Sequence, residues 1–157
     1  MGISDKLTEP MHVGWREWVA LPDLGVPRIK AKIDTGARSS ALHAFYIEPY
    51  RHAGRDFVKF GLHPIQGDEH TALTCRAPVL DRRMVSDSGG HRELRYVIET
   101  SLRLGAHDFL AQVTLTNRDS MLFRMLVGRT ALARRFVVDP ARSFLMRDQA
   151  TPKTDSL

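Results

Sequence analysis

Cysteine is almost absent from this chain. Cys75 is the only one in 157 residues, so no internal disulfide can form, and the chain suits a reducing compartment. No apolar run approaches the ~20 residues that a membrane helix requires. Residues 1–12 lack the apolar stretch of a secretory signal and read as a loose arm. These absences set the expectation of a cytoplasmic protein with no membrane partner. A Walker-type phosphate loop is missing, and so is a His-Glu-x-x-His helix. The histidines His12, His43, His52, His63, His70, His91 and His107 form no i, i+4 pair on a helix, and Cys75 has no cysteine near it. A zinc site gathered from distant residues such as His43, Cys75 and His91 has nothing pointing to it, so we expect no metal and no cofactor. There is also no internal repeat.

What is present is positive charge. The formal net charge is +5, carried mostly by arginine. The arginines are scattered apart from the pairs Arg82-Arg83 and Arg134-Arg135, and no zinc-finger spacing or aromatic RNA-binding signature accompanies them. Basic charge alone is weak support for nucleic acid, so we expect no nucleic-acid partner; an acidic peptide suits the same charge.

The length is that of one domain with its own core. Val13 to Leu21 reads as a strand with Val13, Trp15, Glu17 and Val19 on one side, and Pro22-Asp23-Leu24-Gly25 as a turn. Val26 to Ile33 follows as the next strand. Further strands are expected at 39–50, 56–62, 71–80 (Pro78 suggesting an edge), 96–104, 109–116 and 121–127. A long hairpin spans 82–99. One short helix is expected at 130–135, and a last hairpin pairs 136–138 with 143–146. Residues 147–157 read as a disordered tail, which leaves 13–146 as the domain. Many short strands, frequent turns and one helix argue an all-β, barrel-like fold.

The organising stretch is Ile29-Lys30-Ala31-Lys32-Ile33-Asp34-Thr35-Gly36-Ala37. Ile29, Ala31 and Ile33 alternate with Lys30 and Lys32, giving a strand with one apolar and one wet face. It runs into a carboxylate, a hydroxyl and a glycine. A carboxylate at the end of a buried strand is costly unless it is hydrogen-bonded or has a task. Thr35 can anchor the loop, and Gly36 lets backbone N–H groups approach the carboxylate. Asp and Gly are also common in plain strand-end turns, so the triplet does not stand alone.

About ninety residues later comes Met125-Leu126-Val127-Gly128-Arg129. Asp-Thr-Gly-Ala after an apolar strand, followed by an apolar-apolar-Gly-Arg segment and a short helix, resembles the retroviral-type aspartic proteases (retropepsins). The fuller resemblance is to the bacterial retropepsin-like aspartic protease family long catalogued as ATP-dependent zinc proteases. It is carried by the run 32–44, by 95–100, and by 115–118 with 123–129, blocks that lie between about Val13 and Met146. The resemblance implies a single-lobe acid-protease barrel with one short C-terminal helix. It implies Asp34, Thr35 and Gly36 as catalytic residues; Ala37, Arg38 and Arg129 beside them are the candidate substrate-binding residues.

Aspartic proteolysis needs two carboxylates that share a proton, and this chain has one Asp-Thr-Gly in a strand-to-loop context. A catalytic role therefore requires a twofold homodimer, with Thr35 bonding across the interface as the resemblance implies. Asp87-Ser88-Gly89 is a second candidate triplet. It is followed by Gly90 and His91 rather than a small apolar residue, and its composition favours a hairpin tip. By position it looks like the flap that closes over substrate, so Ser88, Gly89 and Gly90 join the substrate-binding set.

One feature departs from the retropepsin pattern. Many retropepsins carry an acidic residue where Arg38 stands, paired with the arginine of the Gly-Arg segment. Two arginines cannot make that pair. Either Arg129 finds another carboxylate, such as Glu99 or Asp119, or both arginines face the substrate. The second option favours acidic peptides, and members of the family are often associated with ligases that append glutamates. Two rivals stand beside a peptidase: a non-catalytic module that binds peptides in the same groove, and a zinc-dependent peptidase as the old family name suggests.

Overall fold

A computed structural model describes residues 9–86, 89–118 and 122–146. Asp87, Ser88, Asp119 and the expected disordered tail lie outside these residues. The described residues form mostly strands. In order they are β1 (Met11–Gly14), β2 (Arg16–Leu21), β3 (Val26–Ile33), β4 (Ser40–His43), β5 (Tyr46–His52), β6 (Arg55–Leu62), β7 (Leu73–Pro78), β8 (Asp81–Ser86), β9 (Arg92–Leu104), β10 (His107–Thr116), β11 (Met125–Val127) and β12 (Phe136–Asp139). Among the described residues one short α-helix, α1 (Arg129–Leu132), follows β11. The expected all-β fold with a short C-terminal helix is what the structure has.

The main sheet runs β10-β4-β11-β3-β2-β9-β8, and β9 also pairs with β10. That extra pairing closes six strands into a barrel and leaves β8 as a flap of sheet on its rim. Closure depends on β9, whose 13 residues are long enough to reach β8, β10 and β2. Inside sit Val19, Leu21, Ile29, Ala31 and Ile33 from the β2–β3 hairpin, packed on Leu42, Ile98, Leu102, Val113, Leu115, Met125 and Val127. The alternation in β3 works as a strand should: its isoleucines and Ala31 are buried, and Lys32 is exposed. Between β2 and β3 a 3-10 turn, Pro22–Leu24, ends at Gly25, whose φ of 74° is a left-handed conformation that glycine adopts without steric cost.

A separate three-stranded sheet runs β5-β6-β7. Pro49 and Pro78 both lie in its outer strands, where a missing N–H costs no ladder bond. The expected strand 39–50 is therefore two. Ser40–His43 belongs to the barrel, and the chain crosses at Ala44-Phe45 into the second sheet.

Several boundaries differ from expectation. Met11 and His12, expected in the N-terminal arm, pair instead in β1 with Phe136 and Val137 of β12, in parallel. Trp15 then breaks the expected 13–21 strand: its N–H donates to the Arg142 carbonyl at 2.8 Å and its carbonyl accepts from Ile33 at 2.8 Å. The strand expected at 121–127 is confined to Met125–Val127. The last hairpin does not form, since β12 pairs with β1, and residues 143–146 are turn and coil. Their amides are engaged elsewhere. Glu17, fully buried, accepts hydrogen bonds from the N–H groups of Gly14 (2.6 Å), Leu145 (2.8 Å) and Met146 (3.0 Å). A buried carboxylate with three backbone donors has its lone pairs satisfied without a cation.

Candidate active site

β11 is inserted between β3 and β4. It runs parallel to β3, with Met125, Leu126 and Val127 opposite Ala31, Lys32 and Ile33, and antiparallel to β4. The insertion brings the two distant motif segments side by side. Asp34 continues the ladder by one bond, its N–H donating to the Val127 carbonyl at 2.9 Å. Gly128 then passes against the start of β4, where its N–H donates to the Ser40 hydroxyl at 3.0 Å. A Cβ on Gly128 would lie 2.5 Å from the Ser39 carbonyl, so only glycine allows this approach.

The Asp34 loop is braced from behind by the Gly-Arg segment. The Arg129 N–H donates to the Ala37 carbonyl at 2.7 Å, and the Thr130 N–H and hydroxyl both donate to the Arg38 carbonyl at 3.0 Å. Within the loop, Asp34 Oδ1 accepts from the Gly36 N–H at 3.0 Å. Asp34 is half-buried, while Thr35, Gly36 and Arg38 are exposed. The carboxylate is thus held at the barrel surface by rigid sheet on one side and open on the other. The Thr35 hydroxyl makes no hydrogen bond among the described residues.

Of the carboxylates suggested for Arg129, Glu99 is not its partner, and Asp119 lies outside the described residues. Its Nη1 donates to the Thr35 carbonyl at 2.9 Å, bracing the loop, while Glu99 lies opposite Gln112 on the β9–β10 ladder. Asp34, Thr35, Gly36, Ala37, Arg38 and Arg129 are therefore gathered in one place. Gly89 and Gly90 sit apart, at the tip of the β8–β9 hairpin, whose ladder runs from Asp81↔Val97 to Ser86↔Arg92. Gly90 has a left-handed φ of 84°, as a tight turn requires. Ser88, the third flap residue, lies outside the described residues.

Comparison with known proteins gives the family. Residues 12–149 match the model of the RimB-like family, described as retropepsin-like aspartic endopeptidase RimB. The chain belongs to that family. It is 46% identical over 145 residues to a Shewanella halifaxensis protein named probable alpha-L-glutamate ligase, covering 92% of this chain and 32% of that one. A Desulfotalea psychrophila protein of the same name is 43% identical over 129 residues, or 82% of this chain and 28% of its own. The chain thus spans about a third of the length of these curated relatives. A crystal structure of a Legionella pneumophila protein of unknown function superposes with a TM-score of 0.72 at 26% identity, covering 87% of this chain and 98% of that one.

Three further observations bear on the chemistry of this family member. Among the described residues, no group of three or more His, Cys, Asp or Glu side chains is placed to hold a metal ion. Nor is any helix among them long and apolar enough to cross a membrane. An open hollow of about 260 Å³, lined by Tyr50, Phe57, Arg82 and Tyr96 among others, shares no residue with the Asp34 loop. The sequence reading missed Ser40, which ties β4 to Gly128. It also missed a buried polar cluster on β9 and β10. There Arg95 is 8% exposed, donates to Thr114 Oγ1 (3.3 Å) and pairs with Glu93 (3.1 Å), which also accepts from Thr116 (3.0 Å). Arg95 fell within a block that resembled the family, but nothing local marked it as buried.

Proposed function

We propose that the chain is an aspartic endopeptidase that works as a twofold homodimer, one Asp34 from each protomer meeting at the axis. The observation that carries this reading is the Asp34-Thr35-Gly36 loop, braced from behind by Gly128-Arg129 and turned outward. Two carboxylates about 3 Å apart cannot both ionise, so one stays protonated. The ionised Asp34 takes a proton from water as the water oxygen bonds to the peptide carbonyl carbon. The protonated Asp34 gives its proton to the carbonyl oxygen. Collapse of the tetrahedral intermediate breaks the C–N bond; the amine leaves with a proton from one carboxyl, and the hydroxyl proton returns to the other. The open Thr35 hydroxyl is suited to a bond across the twofold axis. Family membership supports the reaction class.

The substrates of this reading are acidic, glutamate-rich peptides. The name alpha-L-glutamate ligase on relatives that contain this domain supports that class, as does the exposed Arg38 beside the loop. A cytoplasmic setting fits a chain whose one cysteine, Cys75, is a buried free thiol.

Asp34→Asn tests the reading, together with the solution mass by sedimentation. A dimer that cuts an acidic peptide, with cleavage falling to background in Asp34→Asn, is the expected result. A strict monomer at high concentration, or full activity in Asp34→Asn, overturns it. Peptide binding without cleavage in either form identifies a binding module instead, and activity lost on chelation identifies a metallopeptidase.

A further inference from the structure

We propose that Lys32 is a specificity-determining residue: its ammonium takes the carboxylate of the substrate side chain next to the scissile bond. The proposal rests on the peptidase reading above and assigns its acidic preference to one side chain.

Lys32 stands two residues before Asp34, on β3. Successive side chains of a strand point to opposite faces, and those of Ala31 and Ile33 lie in the core. Lys32 therefore points out of the barrel, and it is exposed. Asp34 extends the same ladder through its bond to the Val127 carbonyl, so its side chain leaves on the Lys32 side. Two residues of strand span about 7 Å, which places the ammonium within reach of a group bound over Asp34.

The strands beside β3 continue this outer face as a row. Leu126 is opposite Lys32, Ala41 is opposite Leu126, and Thr114 is opposite Ala41. Their chain neighbours Met125, Val127, Leu42, Val113 and Leu115 fill the core, as the alternation requires. The row descends from exposed Lys32 through half-buried Leu126 to Ala41, which is 5% exposed, and Thr114, which is 2% exposed. Ala41 is the smallest side chain of the row and sits low between Leu126 and Thr114. The row thus offers a mostly apolar seat for the methylene stem of a side chain, with a cation at its open end.

Charge decides what the seat takes. A proton-sharing carboxylate pair carries one negative charge. A substrate carboxylate held beside that pair is repelled unless a cation stands closer to it than the pair does. Lys32 is placed to be that cation, because it shares both the face of Asp34 and the row of the seat. A neutral side chain gains little from it, and a basic one is repelled. Each protomer of a twofold dimer supplies one such row, so the residues on both sides of the scissile bond meet a Lys32.

The test is cleavage of a fluorescence-quenched octaglutamate by the full chain, with the cut located by mass spectrometry, and of the same peptide carrying glutamine at one position. With native Lys32, glutamine beside the scissile bond should lower kcat/KM roughly tenfold, and glutamine three residues away should lower it far less. Lys32→Gln should abolish that difference, Lys32→Arg should keep it, and Lys32→Glu should turn the preference towards glutamine. Arg76→Gln removes the same charge from β7 of the separate sheet and should leave the difference as it is. A Lys32→Gln chain that keeps the native preference overturns the assignment, and so does a preference spread equally over all positions. Thermal midpoints check that the variants fold. If the native chain leaves octaglutamate uncut, the peptidase reading fails on its own, and binding of octaglutamate to the Asp34→Asn chain is read by anisotropy instead. Binding weakened by Lys32→Gln keeps Lys32 as a carboxylate site without cleavage; binding that is absent, or unchanged by Lys32→Gln, overturns the assignment as well.

Discussion

Glu17→Ala probes the strongest unusual contact in the structure. The carboxylate is fully buried and accepts three backbone N–H groups, those of Gly14, Leu145 and Met146. Each amide left without its charged acceptor costs about 1–3 kcal/mol when buried. The Gly14 amide is buried and bears the full cost. The Leu145 and Met146 amides are partly accessible, and water recovers part of theirs. Removing the carboxylate also relieves its own desolvation, several kcal/mol in an apolar setting. The lost bonds outweigh that relief, because the native carboxylate is already satisfied. A net loss of about 3 kcal/mol is expected, a large share of the roughly 5–15 kcal/mol that holds a domain of this kind together. Urea unfolding measures it as a lower midpoint at unchanged slope. Amide exchange locates it, with Leu145 and Met146 losing protection ahead of the β3 core. A loss below about 1 kcal/mol, with both amides still protected, would refute the argument that Glu17 anchors this segment.

Two further outcomes follow from single positions. Gly128→Ala forces a Cβ to within 2.5 Å of the Ser39 carbonyl and 2.9 Å of the Ser40 N. Because the obstacle is backbone, the cost lies at or above the upper end of the usual 1–3 kcal/mol for overpacking, about 3 kcal/mol; a thermal midpoint equal to wild type would contradict it. Cys75 is 4% exposed, and burial pushes its thiol up to about 11 from 9.0. The folded state therefore holds this proton more tightly than the unfolded state. The stability so gained is complete below the unfolded value of 9.0 and is lost as pH rises through about 11. Iodoacetamide at pH 8 should leave the folded thiol untouched and label it in urea; rapid labelling of the native protein would contradict the burial.

The sequence announces features whose partners are local and conceals those whose partners are distant. β3 is legible because Ile29, Ala31 and Ile33 alternate with Lys30 and Lys32, and a strand period needs no tertiary information. The hairpin carrying Gly89 and Gly90 is legible from turn composition. The crossing at Ala44-Phe45 is not, since neither glycine nor proline marks it. Residues 143–146 mislead because Phe144, Leu145 and Met146 have the composition of a strand, while the Leu145 and Met146 amides are taken by the Glu17 carboxylate and the Phe144 amide by the Arg16 carbonyl, all more than a hundred positions away. The short helix was expected at 130–135 and begins at Arg129, where Gly128 releases the chain from β11. Boundaries of this kind are set by contacts of the neighbouring segment.

The same division explains the candidate site. Asp34, Thr35, Gly36 and Arg129 were legible as residue types in a known order. How they are joined was not, because it depends on β11 lying between β3 and β4. That insertion turns two motifs into one braced loop. The Val127 carbonyl fixes Asp34, the Ala37 and Thr35 carbonyls receive Arg129, and Ser40 receives the Gly128 amide. Every one of these bonds lies on the protein side of the loop, and among the described residues the Asp34 carboxylate takes only the Gly36 amide. A carboxylate braced this heavily from behind and left open in front is arranged to meet something. In the peptidase reading proposed above, the group that completes a proton-sharing pair is a second copy of Asp34 from another chain.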